Sequence, residues 1–367
     1  MYEAGGAGAA RFLMRPLLCG YYGEHNLGDD ALLAALLEQL PPGQVPIVTA
    51  HDQAQVEARF AVATCPRRSL GAVLAALQQC DALVLGGGSL LQDATSFRSL
   101  LYYALLIVAA RLGAKPVLLW GQGLGPLKRF RSRTLVRWLL PLASGISWRD
   151  PASAALAARW GVVSLQGSDP VWSLPQGSWQ GEGGAILLCW RFSPLLTHDG
   201  WLLLLDALDR LAEQADRPVH WLPFHLDQDR DLLEELRSRG LLSERLARRS
   251  VAVAAQSPGE AQVLFERAGL VIAMRLHGLI LAALAGAPCA ALSYDPKVRA
   301  AAEAIGCPCA DLDRPLDAEG LLGEWQASLD QPPEPGGIER QRQATAIHRQ
   351  LLAAGLPTAS SRPALAR

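Results

Sequence analysis

The sequence has almost no net charge: 34 lysines and arginines stand against 35 aspartates and glutamates. Such a balance provides no general attraction to nucleic acid or to an anionic membrane, so an anionic ligand must be held by local cations. A disulfide framework is also lacking. The seven cysteines, at 19, 65, 80, 189, 289, 307 and 309, are odd in number, share no spacing and sit mostly in apolar runs, where a thiol behaves as a small hydrophobe. Cys307 and Cys309 form a lone CPC without companion ligands, and with no HExxH either, no metal is expected. No nucleic-acid-binding motif is present. The opening MYEAGGAGAARF lacks the basic start and apolar core of a secretory signal. Apolar runs are short or interrupted, as residues 269–292 are by Arg275, His277 and Pro288, so no membrane span is expected. These absences describe a reduced, cytoplasmic protein, and they leave room for peripheral contact with the inner membrane face.

Half of the 367 residues are hydrophobic, enough for one large core or two ordinary ones. Short apolar runs alternate with longer helical ones. RFLMRPLLCG, VPIVTA, DALVLGGG, KPVLLWGQG and SGISWRD read as strands, separated by the helical stretches DDALLAALLEQL, GAVLAALQQC, SLLYYALLIVAARLG and RTLVRWLLPLA, with PASAALAARWG following. Turn formers in LPQGSWQGEGG, residues 174–184, interrupt the pattern. It then resumes with the strands AILLCWRF, PVHWLPF, GLVIA and PCAALS and the helices GWLLLLDALDRLAEQA, DQDRDLLEELRSRG, SPGEAQVLFERA and GLILAALAG. Strand–helix alternation predicts parallel sheets covered on both faces. The organisation expected is an α/β domain over residues 12–175, a second over 183–330, and a C-terminal helix, GIERQRQATAIHRQLLAAG, with a frayed tail over 331–367.

In open parallel sheets, ligands bind beyond the carboxyl ends of the strands, and the unusual clusters of this sequence fall there. In GYYGEHNLGDDALL, Asn26, Gly28 and Asp29 stand beside an open backbone suited to sugar or phosphate, while Asp29 or Asp30 could instead cap the following helix. LGGGSLLQD has neither the Walker A nor the GxGxxG spacing. Its Gly87, Gly88 and Ser89 are expected to expose amides to an anion at a helix N-terminus, with Gln92 and Asp93 one turn into that helix. WGQGLGP contributes Gln122, SWRDP contributes Arg149 beside Asp150, CWRF contributes Arg191, and LPFHLDQD contributes His225 and Asp229.

The densest cluster is MRLHGL followed by SYDPKV, both after strands of one βαβ unit. If residues 275–277 are extended, the side chains of Arg275 and His277 point the same way, and Gly278 opens the helix. Arg275 suits a carboxylate or phosphate, His277 can exchange a proton near neutrality, and Lys297 adds a second cation.

Together these segments resemble the polysaccharide pyruvyl transferase family, in particular its cell-wall branch, known as CsaB. The resemblance rests on GYYGEHNLGDDALL, GGGSLLQDATSFRSLLYY, GQGLGPL, SWRD and RLHGLILAALAGAPCAALSYDPKV, in the expected order from about residue 16 to 310. Glu24 and His25 are the least standard part of the first motif. The resemblance implies a GT-B-like fold, with two Rossmann-like domains whose parallel sheets face a central cleft. The implied donor is phosphoenolpyruvate, with no further cofactor, and the implied acceptor is a sugar with two free hydroxyls, which becomes a pyruvate ketal as phosphate leaves. For the cell-wall branch that sugar is an N-acetylmannosamine residue of a lipid-linked saccharide.

On this reading His277 is the acid, and Arg275, Lys297 and Arg149 hold the donor, with Leu276, Gly87, Gly88 and Ser89. Asn26, Gly28, Asp29, Gln92, Asp93, Gln122 and Arg191 fall to the acceptor. A nucleotide-sugar glycosyltransferase of GT-B type, or a non-catalytic sugar or anion binder, would use the same fold and glycine loops.

Overall fold

The computed structural model describes residues 14–94 and 96–356. The N-terminal stretch 1–13, the start of the first expected domain at residue 12, and the tail 357–367 lie outside the described residues. The chain divides into two compact units. Leu36–Gln166, with the segments up to Tyr22 and from Ile347, forms one; Gly167–Ala346 together with Gly23–Ala35 forms the other.

The first unit carries strands β1 (Pro16–Tyr22), β2 (Ile47–Ala50), β3 (Ala63–Pro66), β4 (Ala82–Leu85), β5 (Val117–Gln122), β6 (Gly145–Trp148) and β7 (Leu165–Gln166). They pair in parallel in the order β3-β2-β1-β4-β5-β6-β7. The second carries β8 (Ala185–Cys189), β9 (Val219–Trp221), β10 (Ser250–Ala252), β11 (Ala268–Ala273), β12 (Cys289–Ser293) and β13 (Cys309–Asp311). Its sheet is also parallel, in the order β10-β9-β8-β11-β12-β13. Both follow the doubly wound order, whose direction reverses between β1 and β4 in one unit and between β8 and β11 in the other; such a reversal opens a crevice at the strand ends.

Burial explains why the central strands were readable. Every residue of β4, β5, β8, β11 and β12 is buried, because helices cover both sheet faces, and such strands read as unbroken apolar runs. The short outer strands β3, β10 and β13 are largely half-buried or exposed. They leave no apolar run, and they and the helices beside them escape the pattern.

Four local expectations are corrected. No helix directly follows the glycine triplet: residues 86–94 are irregular and the helix begins at Phe97, so Gln92 and Asp93 lie in a loop. The charged stretch 227–240 is not one helix but two, Leu226–Asp229 and Leu232–Ser238, because Asp229 turns into the interior. The C-terminal stretch is likewise two helices, Pro335–Ala344 and Ala346–Gly355, divided at Thr345, whose hydroxyl donates to the Arg342 carbonyl. Finally, the helix after β11 starts at Leu276, two residues before Gly278.

Candidate functional site

The second unit gathers its unusual side chains at the carboxyl ends of β8, β9, β11 and β12. Arg275 ends the β11 segment in an extended conformation (φ −82°, ψ 124°), and Leu276 is already helical. The extended geometry expected for 275–277 therefore covers Arg275 alone. His277 sits in the first helical turn and its direction is not set by strand alternation. Leu276 is half-buried beside it.

The guanidinium of Arg275 grips Asp229 with both arms: Nε donates to Oδ2 at 3.0 Å and Nη2 donates to Oδ1. Nη2 also donates to Gln228 Oε1 at 3.0 Å. Asp229 is fully buried as a side chain and further accepts the amides of Phe224 (3.2 Å) and His225 (2.8 Å). An ionised carboxylate at that depth is tolerable only with such complete pairing. The fork of Arg275, expected to hold a ligand anion, is thus already committed, and it ties the loop after β9 to the end of β11. His225, 6 % exposed, lies on this pair. Burial, and next the Arg275 cation, push its imidazole below its ordinary value, with Asp229 opposing.

The segment 23–35 belongs to the same unit through its backbone. Leu27 N donates to Phe224 O (2.9 Å), Leu226 N donates to His25 O (3.0 Å), and Asn26 forms an isolated antiparallel bridge with His225. Asn26 precedes the helix Leu27–Gln39, and its Oδ1 accepts from Gly28 N at 3.0 Å while Nδ2 donates to Asp29 Oδ2 at 2.6 Å. Of the two readings open for this turn, the capping role falls to Asn26 rather than to Asp29 or Asp30.

Gly28 then meets His277. A Cβ on Gly28 would stand 2.3 Å from His277 Nδ1 and 3.0 Å from Cγ, so only a glycine lets the imidazole lie against this helix start. On the other side, His277 Nε2 faces Asp169 Oδ2 at 3.5 Å, with both side chains mostly buried. That spacing is too long for a hydrogen bond but within reach of an ion pair. Asp169 caps a short 3₁₀ turn, Pro170–Ser173, by accepting Val171 N at 3.1 Å.

Two further cations occupy neighbouring strand ends. Arg191, after β8, stacks over the ring of Tyr294 at 5.1 Å. Lys297 is half-buried at the start of the helix Pro296–Ile305, where Asp295 accepts its amide at 2.9 Å. SYDPKV thus meets Arg191 as well as following the RLH segment through β12.

In the first unit, the glycine loops are joined to each other by backbone. Gly123 N donates to Gly88 O (2.7 Å), Gly125 N to Leu91 O (3.2 Å) and Asp93 N to Pro126 O (3.1 Å). Gly88 takes φ 108°, a region side chains avoid, and Gly87 is buried while Ser89 is half-buried. Gln122, wholly buried, donates through Nε2 to the carbonyls of Leu85 (3.2 Å) and Gly86 and accepts Leu90 N at 3.4 Å. Asp93 accepts the amides of Lys128 (2.7 Å) and Arg129 (2.8 Å), and Gln92 accepts Ala94 N at 2.6 Å. These three polar side chains, expected to face a sugar, also make hydrogen bonds within and between the loops. Arg149 follows β6, its amide donating to Gln122 O at 3.0 Å, and Asp150 caps the helix Pro151–Arg159 through Ser153.

Asp169 and Tyr294 carried no sequence signal strong enough to single them out. SDP marks a cap before a proline-started turn, and nothing local says that the carboxylate also meets a histidine 108 positions later.

Known proteins agree with this architecture. No curated protein matches the chain. Among solved structures, a putative UDP-N-acetylglucosamine 2-epimerase from Listeria monocytogenes superposes with a TM-score of 0.59 at 13 % identity, over 93 % of this chain and 95 % of that one. The UDP-GlcNAc 2-epimerase of Methanocaldococcus jannaschii gives 0.59 at 13 %, over 93 % and 99 %, and Anabaena HepE in complex with UDP and glucose gives 0.56 at 12 %, over 93 % and 96 %. At such identities the likeness establishes the fold, GT-B with two Rossmann-like units. A model of the polysaccharide pyruvyl transferase family matches residues 26–296, a span that begins at the Asn26 cap and runs past His277 to the start of the helix after β12, and the chain is therefore a transferase belonging to that family.

Proposed function

We propose that this transferase moves the pyruvyl moiety of phosphoenolpyruvate onto two hydroxyls of one sugar, as a ketal. A hydroxyl oxygen bonds to C2 while the methylene carbon gains a proton and becomes methyl. The C2–phosphate bond breaks, and the second hydroxyl closes the ring. One hydroxyl proton replaces the one delivered to carbon and the other leaves with the phosphate, so atoms balance without an oxidant or metal.

The observation that carries the reading is His277, seated between Gly28 and the Asp169 carboxylate. Protonating an enol ether carbon needs an acid held in place, and a carboxylate behind the imidazole orients it. Lys297 and Arg191, at the ends of β12 and β8, are the proposed ligands of the donor's phosphate and carboxylate. Arg275, paired with Asp229, holds the segment after β9 to the end of β11, a narrower role than direct anion binding. For the first unit we propose only that Arg149 and the loop amides around Gly87, Gly88 and Ser89 bind a ligand at the carboxyl end of their own sheet. A lipid-linked acceptor bearing N-acetylmannosamine, as in the cell-wall branch, is the proposed substrate class.

The test incubates the protein with phosphoenolpyruvate and a panel of synthetic or lipid-linked amino sugars, and measures phosphate release with an acid-labile pyruvyl adduct. The UDP-bound Anabaena structure supports the runner-up, transfer from a nucleotide sugar. Turnover of a UDP-sugar, with none of phosphoenolpyruvate on any acceptor, would replace the first reading by the second.

A further inference from the structure

Residues 94–149 contain nine lysines and arginines and no aspartate or glutamate, so in a chain of net charge −1 the remainder carries −10. Most of that positive charge is displayed by one helix of the first unit, Phe130–Leu139, and the two residues before it. Ser132, Val136 and Leu139 face the core. The opposite face is aromatic and basic. Phe130 is 83 % exposed and Trp138 74 % exposed. At 100° per residue they lie within about 80° of each other on the helix surface, with Arg131 at one margin and Arg133 and Arg137 at the other. Lys128 and Arg129 extend the basic strip beyond the N-terminus and are exposed as well.

None of these five arginines and lysines that follow residue 127 up to Arg137 forms a salt bridge among the described residues. Arg129 and Arg131 rest on the Phe97 ring, at 6.0 and 4.5 Å, and Arg133 donates to the carbonyls of Leu127 and Lys128. The adjacent helix, Phe97–Leu112, packs beside this one in the same core. It presents a second stripe with the same character: Leu101, Leu105, Val108 and Leu112 are exposed at helical spacing, with Arg98 and Arg111 near its ends. The described residues contain no helix long and apolar enough to cross a membrane. Exposed aromatics between arginines on a short helix are the composition of an element that lies in the plane of a bilayer interface.

We propose that the face formed by the helices Phe130–Leu139 and Phe97–Leu112 docks the protein on an anionic lipid bilayer. Arginines meet the phosphate headgroups, and Phe130, Trp138 and the leucine stripe enter the acyl boundary. Both helices start from loops at the carboxyl ends of β4 and β5, so the docked face adjoins the loops where this unit's ligand would bind. The inference stands on the surface of the first unit and does not depend on the pyruvyl transfer reading, and its test contains no substrate.

The full chain is sedimented with vesicles of phosphatidylcholine alone and with equal parts of phosphatidylglycerol, at about 0.1 M salt, where the screening length is about 10 Å. Binding should require the anionic lipid and weaken steeply with added salt. The triple variant Arg131→Glu/Arg133→Glu/Arg137→Glu should bind at least about 10-fold more weakly. Phe130→Ala/Trp138→Ala should lose a similar factor on vesicles while binding a short DNA duplex, used as a soluble polyanion, no more weakly than the parent. All five side chains are exposed, and unchanged thermal unfolding of each variant keeps folding out of the comparison. Failure of the parent to sediment with anionic vesicles overturns the proposal. So does loss of duplex binding in step with vesicle binding in the aromatic variant, which would point to a polyanion partner.

Discussion

Gly28→Ala is the sharpest test of the histidine's placement. The new Cβ would stand 2.3 Å from His277 Nδ1, 3.0 Å from Cγ and 3.1 Å from Cβ. Carbon and nitrogen in ordinary contact lie near 3.5 Å, so the ring must retreat by about 1 Å. The backbone raises no objection, because Gly28 is helical and alanine is a better helix former by up to about 1 kcal/mol. Overpacking costs about 1–3 kcal/mol, and the two effects offset, leaving the melting temperature within a few degrees of the parent. Catalysis does not share that compensation. A displacement of about 1 Å in a positioned catalytic group costs on the order of 100-fold, through kcat more than through KM for phosphoenolpyruvate. Steady-state phosphate release with a matched thermal melt reads both quantities. A Gly28→Ala protein turning over within twofold of the parent would refute the role of His277 as the positioned acid.

Four further outcomes are expected. His277→Gln keeps phosphoenolpyruvate binding by calorimetry and loses most turnover. Asp169→Asn lowers kcat by about 100-fold or more with little change in KM, since the residue orients the imidazole rather than touching the donor; a pure KM effect would contradict that assignment. Asp229→Ala leaves the buried Arg275 without its counter-charge and should destabilise the fold by about 3–5 kcal/mol in urea unfolding, far more than the surface pair Arg237–Glu234 would on the same treatment. His225 has a folded value pushed below its ordinary 6.5 by burial and by Arg275. The unfolded chain therefore binds the proton first, stability falls as pH drops through and below about 6.5, and His225→Gln should reduce that loss.

The elements legible in the sequence were those whose burial is uniform. β4, β5, β8, β11 and β12 are apolar along their whole length because helices cover both faces, and the helices between them follow. The outer strands β3, β10 and β13 gave no such run, since nearly all their residues are half-buried or exposed. The break at Asp229 was invisible because a charged residue in a charged stretch looks like a solvated helix face. In the fold it is held inside by Arg275, 46 residues further on, and by the amides of Phe224 and His225.

The same division runs through the site. Local pattern alone determined that the chain is α/β with parallel sheets, and that Asn26, Gly88, Arg149, Arg191, Arg275, His277 and Lys297 all fall just beyond strands, where such sheets bind ligands. Periodicity carries that information over a few residues at a time. It carries none about which side chains meet across hundreds of residues. The tertiary structure decided that Gln122 and Asp93 brace the glycine loops, that Arg275 is committed to Asp229, and that His277 lies between Gly28 and Asp169. Each of those assignments depends on groups distant in the chain meeting in the folded interior, a choice made by packing and desolvation.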